Sequence, residues 1–152
     1  IMNKMLFLGP TFTMEVPTDW FVMATPQYQA LFTEPQEVDG FQANVAVAIR
    51  PVEEQVTATD VSESAKQTQA KEYPDYQVLE EKIFDQTSPA IKRTYVWTHP
   101  ELGKVIKQTQ YFHKDKKHLY TLTATRLAES ANVDNVDLII EQMLNTFRIR
   151  IV

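Results

Sequence analysis

Proton transfer and metal binding need imidazoles, thiolates or carboxylates held a few ångströms apart, and this chain has few of them in suggestive positions. Its three histidines are His99, His113 and His118, and it has no cysteine. Thiol chemistry, disulfides and thiolate zinc sites are therefore excluded. His113 and His118 flank a charged turn, Lys114-Asp115-Lys116-Lys117, and could approach each other. Two neutral ligands without a third make a weak metal site, so solvated or locally bonded imidazoles are the expectation. The carboxylate pairs Glu53-Glu54 and Glu80-Glu81 are sequence neighbours. On a strand, neighbours point to opposite faces, so Glu80 and Glu81 make a poor catalytic dyad. There is no glycine-rich phosphate loop and no Gly-x-Ser-x-Gly elbow; three glycines could hardly build the first. No enzyme, metal or cofactor is expected.

Amides are the polar groups that stand out. Gln108 and Gln110 lie in the middle of a β-rich run beside Tyr111 and Phe112, and Gln42 and Asn44 lie within an earlier one. Such a surface is polar, uncharged and able to hydrogen-bond a guest, although a wet sheet face has the same composition. Gln108, Gln110, Gln42, Asn44 and Trp20 are the five candidate partner-binding residues. Gln108→Leu is then expected to leave stability nearly unchanged. Trp20, Tyr95 and Trp97 otherwise read as core, because aromatics dominate burial in small β-rich domains.

The elements that must position these residues are mostly strands. Gly103 to Leu127 contains two runs rich in Tyr, Phe, Thr, Val and Ile that meet at the lysine turn, a hairpin pattern. A three-residue loop there would put Phe112 and Ile106 on one face with Tyr120, Leu122 and Ala124. A two-residue turn at Asp115-Lys116 would set them among the threonines instead. Burial on one face favours the three-residue loop. Earlier, Thr11 to Val16, Trp20 to Met23, Tyr28 to Thr33 and Phe41 to Ile49 read as strands, as do Tyr76 to Phe84 and Ala90 to Thr98 around a turn at Thr87-Ser88-Pro89. Thr57 to Tyr73 reads as a helix capped by Thr59, its thin apolar stripe laying it on the domain rather than in it. Asn132 to Phe147 is the strongest helix, with Val133, Val136, Ile140, Met143, Leu144 and Phe147 at helical spacing and Asn132 as the candidate cap. Ile149 and Ile151 suggest a short terminal strand.

Length and composition bound the rest. The 152 residues suit one domain spanning 1–152, and 43% hydrophobic with 23% charged residues argues for a folded chain. A net charge of −5 speaks against a nucleic-acid binder, which needs a basic face. No apolar run approaches the ~20 residues of a membrane span. The apolar patch Met5-Leu6-Phe7-Leu8 is too short for a signal peptide, and Met2 as the start would suit a cytoplasmic protein. A leader removed upstream would place it in the periplasm or outside the cell.

Phe12-Thr13-Met14-Glu15-Val16-Pro17-Thr18-Asp19-Trp20 resembles the strand, Pro, two residues, Trp opening of the PsbP-like (Ran-release-factor-like) fold. The order that follows is also similar: a long strand, a helix, strands through Lys107 to Phe112 and Leu119 to Thr125, then a helix ending Asn145-Thr146-Phe147-Arg148. The resemblance covers nearly the whole chain. It implies an α+β architecture, a central antiparallel sheet of about six to seven strands with helices on both sides, an α-β-α sandwich. The chain looks most like the DcrB or DUF1795 branch, which includes chaperones of type VI secretion effectors. That likeness implies a non-catalytic adaptor with a protein partner, whose guest segment would meet the strand carrying Gln108 and Gln110; a homodimer stays open. The alternatives are an accessory subunit of a membrane-associated or extracellular assembly and a small-molecule carrier.

Overall fold

The computed structural model describes residues 3–84 and 90–150. Among the described residues ten strands and two helices follow the chain: β1 (Lys4–Leu8), β2 (Phe12–Pro17), β3 (Phe21–Met23), β4 (Ala30–Thr33), β5 (Asn44–Pro51), α1 (Ala58–Glu72), β6 (Gln77–Phe84), β7 (Ala90–His99), β8 (Lys104–Lys114), β9 (His118–Leu127), α2 (Val133–Thr146) and β10 (Arg148–Ile149). The main sheet has seven strands in the order β3-β4-β5-β9-β8-β7-β6, each antiparallel to its neighbours. A second sheet of three strands, β1-β2-β10, packs beside it. The expected α+β sandwich is therefore present, with the small sheet as an addition. The predicted turn at Thr87-Ser88-Pro89 and the residue Ile151 lie outside the described residues.

The principal core forms between the small sheet, α2 and one face of the main sheet. Alternation along β2 delivers Phe12, Met14 and Val16; β5 and β9 deliver Val45, Val47, Tyr120, Leu122 and Ala124. The helical period of α2 delivers Val136, Ile140, Met143 and Leu144 to the same cluster. Gly9 belongs to this packing, because a Cβ there would stand 2.7 Å from the Phe12 ring. On the other face, Ala58 of α1 meets Ile91 and Phe112, with Val61 and Ala65 alongside.

Several expectations change in detail. Thr57, not Thr59, caps α1: its hydroxyl accepts the Asp60 N–H while the Asp60 carboxylate accepts the Thr57 N–H. Asn132 stands at the start of α2 but its side chain makes no cap; it donates instead to the Glu34 carboxylate. Residues 4–8 form the edge strand β1 rather than an unassigned apolar patch, with Phe7 turned toward the core.

The hairpin register is the larger correction. Phe112 pairs with Thr121 and Ile106 with Leu127, so the two apolar residues share a face with Thr121, Thr123 and Thr125. Lys116 and Lys117 form the tip, closed by Asp115 N–H to the His118 carbonyl, and the Asp115 carboxylate accepts from Lys117 and His118 N–H at 2.8 Å each. Burial on one face does not decide this register, because both faces are covered. Tyr120, Leu122 and Ala124 enter the principal core, while Phe112 is buried under α1.

Candidate functional site

Cross-strand pairing organises the α1 face into rows. One row runs Phe21, Thr33, Asn44, Thr125, Gln108, Tyr95; the next runs Met23, Leu31, Ala46, Thr123, Gln110, Arg93. A third carries Ala48, Thr121, Phe112 and Ile91. Directly opposed residues of an antiparallel pair share a face, so these rows form one surface. α1 packs on β7 and β8. It covers the Tyr95, Arg93 and Ile91 end of the rows and leaves the end on β9, β5, β4 and β3 beside it. There Thr121, Thr123, Thr125 and Ala48 are half-buried, and Phe21 and Met23 are 55% and 44% exposed. A concavity of about 500 Å³ runs along the facing flank of α1, lined by Arg50, Val56, Asp60, Val61, Ala65 and Tyr73. The concavity itself is lined by α1, Val56 and Arg50. Beside it the open rows continue as a floor of mostly small side chains out to a rim of apolar Phe21 and Met23, and α1, floor and rim together make up a trough.

Three of the five sequence candidates come together here. Gln108, Gln110 and Asn44 occupy neighbouring positions in the rows. Gln42 lies just before β5, where its Nε2 donates to the Glu34 carbonyl, and the Asn44 amide donates to the Gln42 carbonyl. Trp20 is elsewhere; it is buried in the principal core on the other side of the sheet.

The glutamine amides are bonded within the protein. Gln108 Oε1 accepts the Trp97 indole N–H at 2.9 Å, and its Nε2 donates to Thr125 Oγ1 at 3.0 Å. Gln110 Oε1 accepts from Gln69 Nε2 at 2.7 Å, and its Nε2 donates to Thr123 Oγ1 at 3.2 Å. Gln69, on the buried side of α1, also donates to the Tyr95 hydroxyl and accepts from Tyr76. Sequence reading missed Gln69; its place between Ala65 and Tyr73, one turn from each along the inward flank of α1, is the signal that could have found it. Gln108→Leu consequently acquires a different expectation from the sequence-based one. It strands the Trp97 N–H and should lower stability by about 1–3 kcal/mol, readable as a shifted urea midpoint. An unchanged midpoint would show that the indole finds water instead.

Around the amides stands an aromatic group. Tyr73 stacks on Trp97 with ring centroids 4.2 Å apart, and Tyr76 lies 5.3 Å from Tyr95. Burial raises the phenol pKa of Tyr95, Tyr73, Tyr76 and Tyr111 above the ordinary 10.0; at Tyr76 the Arg93 guanidinium opposes it in part. A phenol that holds its proton more tightly when folded contributes stability below pH 10 and loses it as pH rises beyond, because the unfolded chain then ionises first. Urea midpoints should therefore fall steadily above about pH 10. A flat profile to pH 11.5, about 1.5 units past the unfolded phenol value, contradicts this.

The charged candidates are accounted for locally. Glu81 reaches Arg93 Nη1 at 3.5 Å on the α1 face while Glu80 pairs with Lys82 at 3.1 Å. Arg93 is fully buried, donates to Ser62 Oγ and lies over the Phe112 ring. Lys114 donates to the carbonyls of Glu54 and Val56, tying the hairpin to the loop before α1. His118 faces Asp115 at 3.7 Å. Among the described residues no three His, Cys, Asp or Glu side chains gather as metal ligands. Beneath the sheet a cleft of about 400 Å³ separates α2 from β6, β7 and β8. Most of its charges are paired: Glu141 with Lys92, Asp137 with Arg126 and Lys107, and Glu80 with Lys82.

A scan of the sequence against protein-family models finds no match, and no curated protein matches it. Solved structures do. LpqN of Mycobacterium tuberculosis, involved in cell envelope biogenesis, aligns with a TM-score of 0.72 at 12% identity, over 99% of this chain and 92% of that one. PA94 of Pseudomonas aeruginosa, a protein of unknown function, aligns at 0.68 and 15% identity over 99% of both chains. A Bacteroides thetaiotaomicron protein aligns at 0.60 and 12% identity; this chain spans about half of its length, 49%. These likenesses show a shared fold. No helix among the described residues is long and apolar enough to cross a membrane.

Proposed function

We propose that this protein is a non-catalytic adaptor or chaperone that seats an apolar segment of a protein partner in the trough beside α1. The observation that carries the reading is the half-covered sheet face. Its floor is made of small residues that let a backbone approach closely, and its rim exposes Phe21 and Met23. Exposed apolar side chains beside a concave, mostly neutral floor are the usual marks of a protein-interaction groove. The resemblance to the chaperone branch points the same way and suits a cytoplasmic location.

Ala48→Trp tests it by filling the floor from a half-buried position. The expected result is an unchanged melting curve with loss of the partner that the unaltered protein co-purifies from its native host. Equal recovery of that partner by both proteins would sink the trough as the binding site. A second reading, an accessory subunit of an envelope assembly, draws on the likeness to LpqN. A leader or lipid-anchor cysteine on the native chain would favour it.

A further inference from the structure

The hydrogen bonds under the trough all run one way. An indole N–H only donates, so Trp97 fixes the orientation of the Gln108 amide: Oε1 faces the indole and Nε2 faces Thr125. Thr125 Oγ1 thus accepts, and its own proton remains to be given. Tyr76 donates to Gln69 Oε1, which turns Gln69 Nε2 onto Gln110 Oε1 and Gln110 Nε2 onto Thr123. Two parallel relays therefore leave the half of the sheet covered by α1 and end on threonine hydroxyls at the open half. Each donor polarises the next, which makes the terminal hydroxyls better donors than isolated threonines. Next to Thr123 in its row stands Ala46, which offers no polar side chain. Next to Thr125 stands Asn44, whose amide nitrogen donates to the Gln42 carbonyl rather than to Thr125.

We propose that the trough floor is a hydroxyl-donor column, and that it takes a helical segment of a protein partner bearing hydrogen-bond acceptor side chains over Thr123 and Thr125. The inference rests on the trough being the partner site. Residues two apart on a strand lie about 6.6–6.8 Å apart, close to the roughly 6 Å between side chains four apart on a helix. A helix with two acceptors one turn apart therefore meets both hydroxyls, while its apolar side lies toward Phe21 and Met23. A donor group at the same positions finds only the one lone pair that each hydroxyl oxygen has left and leaves the hydroxyl proton unused, so it is disfavoured.

The test uses three synthetic amphipathic helical peptides of about 20 residues, alike except for Glu, Lys or Leu at two positions four apart. Binding is read by fluorescence anisotropy. The unaltered protein should bind the Glu peptide about ten-fold more tightly than the Lys peptide, against the general pull of its −5 net charge. The double variant Thr123→Val, Thr125→Val should lose that preference while still binding the Leu peptide. Thr123→Ser, Thr125→Ser should keep it, and this variant decides the matter should the valine protein fail to fold. Equal binding of the Glu and Lys peptides by the unaltered protein, or a preference that survives in the valine variant, overturns the donor column. Failure of all three peptides, the Leu peptide included, instead overturns the trough as a segment-binding site and the donor column with it.

Discussion

Replacing Phe147 by alanine is expected to lower stability by about 3–5 kcal/mol. The residue follows the last turn of α2 and is 3% exposed. Its ring lies 5.7 Å from Phe12 of β2, 5.8 Å from Tyr120 of β9 and 6.0 Å from Tyr111 of β8. One side chain thus joins the small sheet, the main sheet and the end of a helix, and its removal leaves a void that none of the three can close without moving another. Aromatic pairs add about 0.5–1.5 kcal/mol beyond area burial, and three of them are lost together. Leu138→Ala on the same helix is the control, because Leu138 is 73% exposed and should change stability by less than about 0.5 kcal/mol. Denaturant unfolding of both variants measures the difference. A Phe147→Ala loss below 1 kcal/mol, well under the range of about 3–5 expected for such a cavity, would mean that the three elements do not share this ring as a common packing point.

Gln69→Leu should cost about 2–4 kcal/mol, an unusual price for a helix glutamine. Its side chain bonds Gln110 Oε1 at 2.7 Å, Tyr76 Oη at 2.9 Å and Tyr95 Oη at 3.3 Å. Leucine is one atom shorter and has no polar group, so it leaves the Gln110 carbonyl and the wholly buried Tyr95 hydroxyl without that partner. Each stranded group costs about 1–3 kcal/mol. The same reasoning makes the pair non-additive: Gln69→Leu with Gln110→Leu should cost less than the two single losses summed, since each removes a partner the other needed. Strict additivity would show that water reaches the network. Gln69 also lines the concavity along α1 and feeds the relay that ends on Thr123, so partner binding is measured separately from stability.

Local pattern accounts for both helices and most of the strands among the described residues. Alternation at Phe12, Met14 and Val16 places them in the core because a strand has period two and one face of β2 is buried. The spacing of Val136, Ile140, Met143 and Leu144 does the same for α2 with period 3.6. Composition likewise made amides in mid-strand visible as the unusual polar groups, and Gln108, Gln110 and Asn44 do lie together beside the trough.

What those groups do was settled only by tertiary contact. Gln108 and Gln110 are bonded by Trp97 and Gln69, residues 11 and 41 positions away, so no local pattern carries the information. Trp20 read as a neighbour of the amides but lies on the opposite side of the sheet, a fact that depends on how β2 and the turn after it cross over. The hairpin register was misread because burial was assumed to favour one face, whereas α1 and α2 cover different halves of opposite faces. β1 was overlooked because Met5, Leu6 and Leu8 are exposed on an edge and only Phe7 turns inward, leaving no alternation to read. Period and propensity are properties of neighbours along the chain and determine the elements. Coverage of a sheet, and with it the trough, depends on where each helix comes to rest, and that is decided by side chains far apart in sequence.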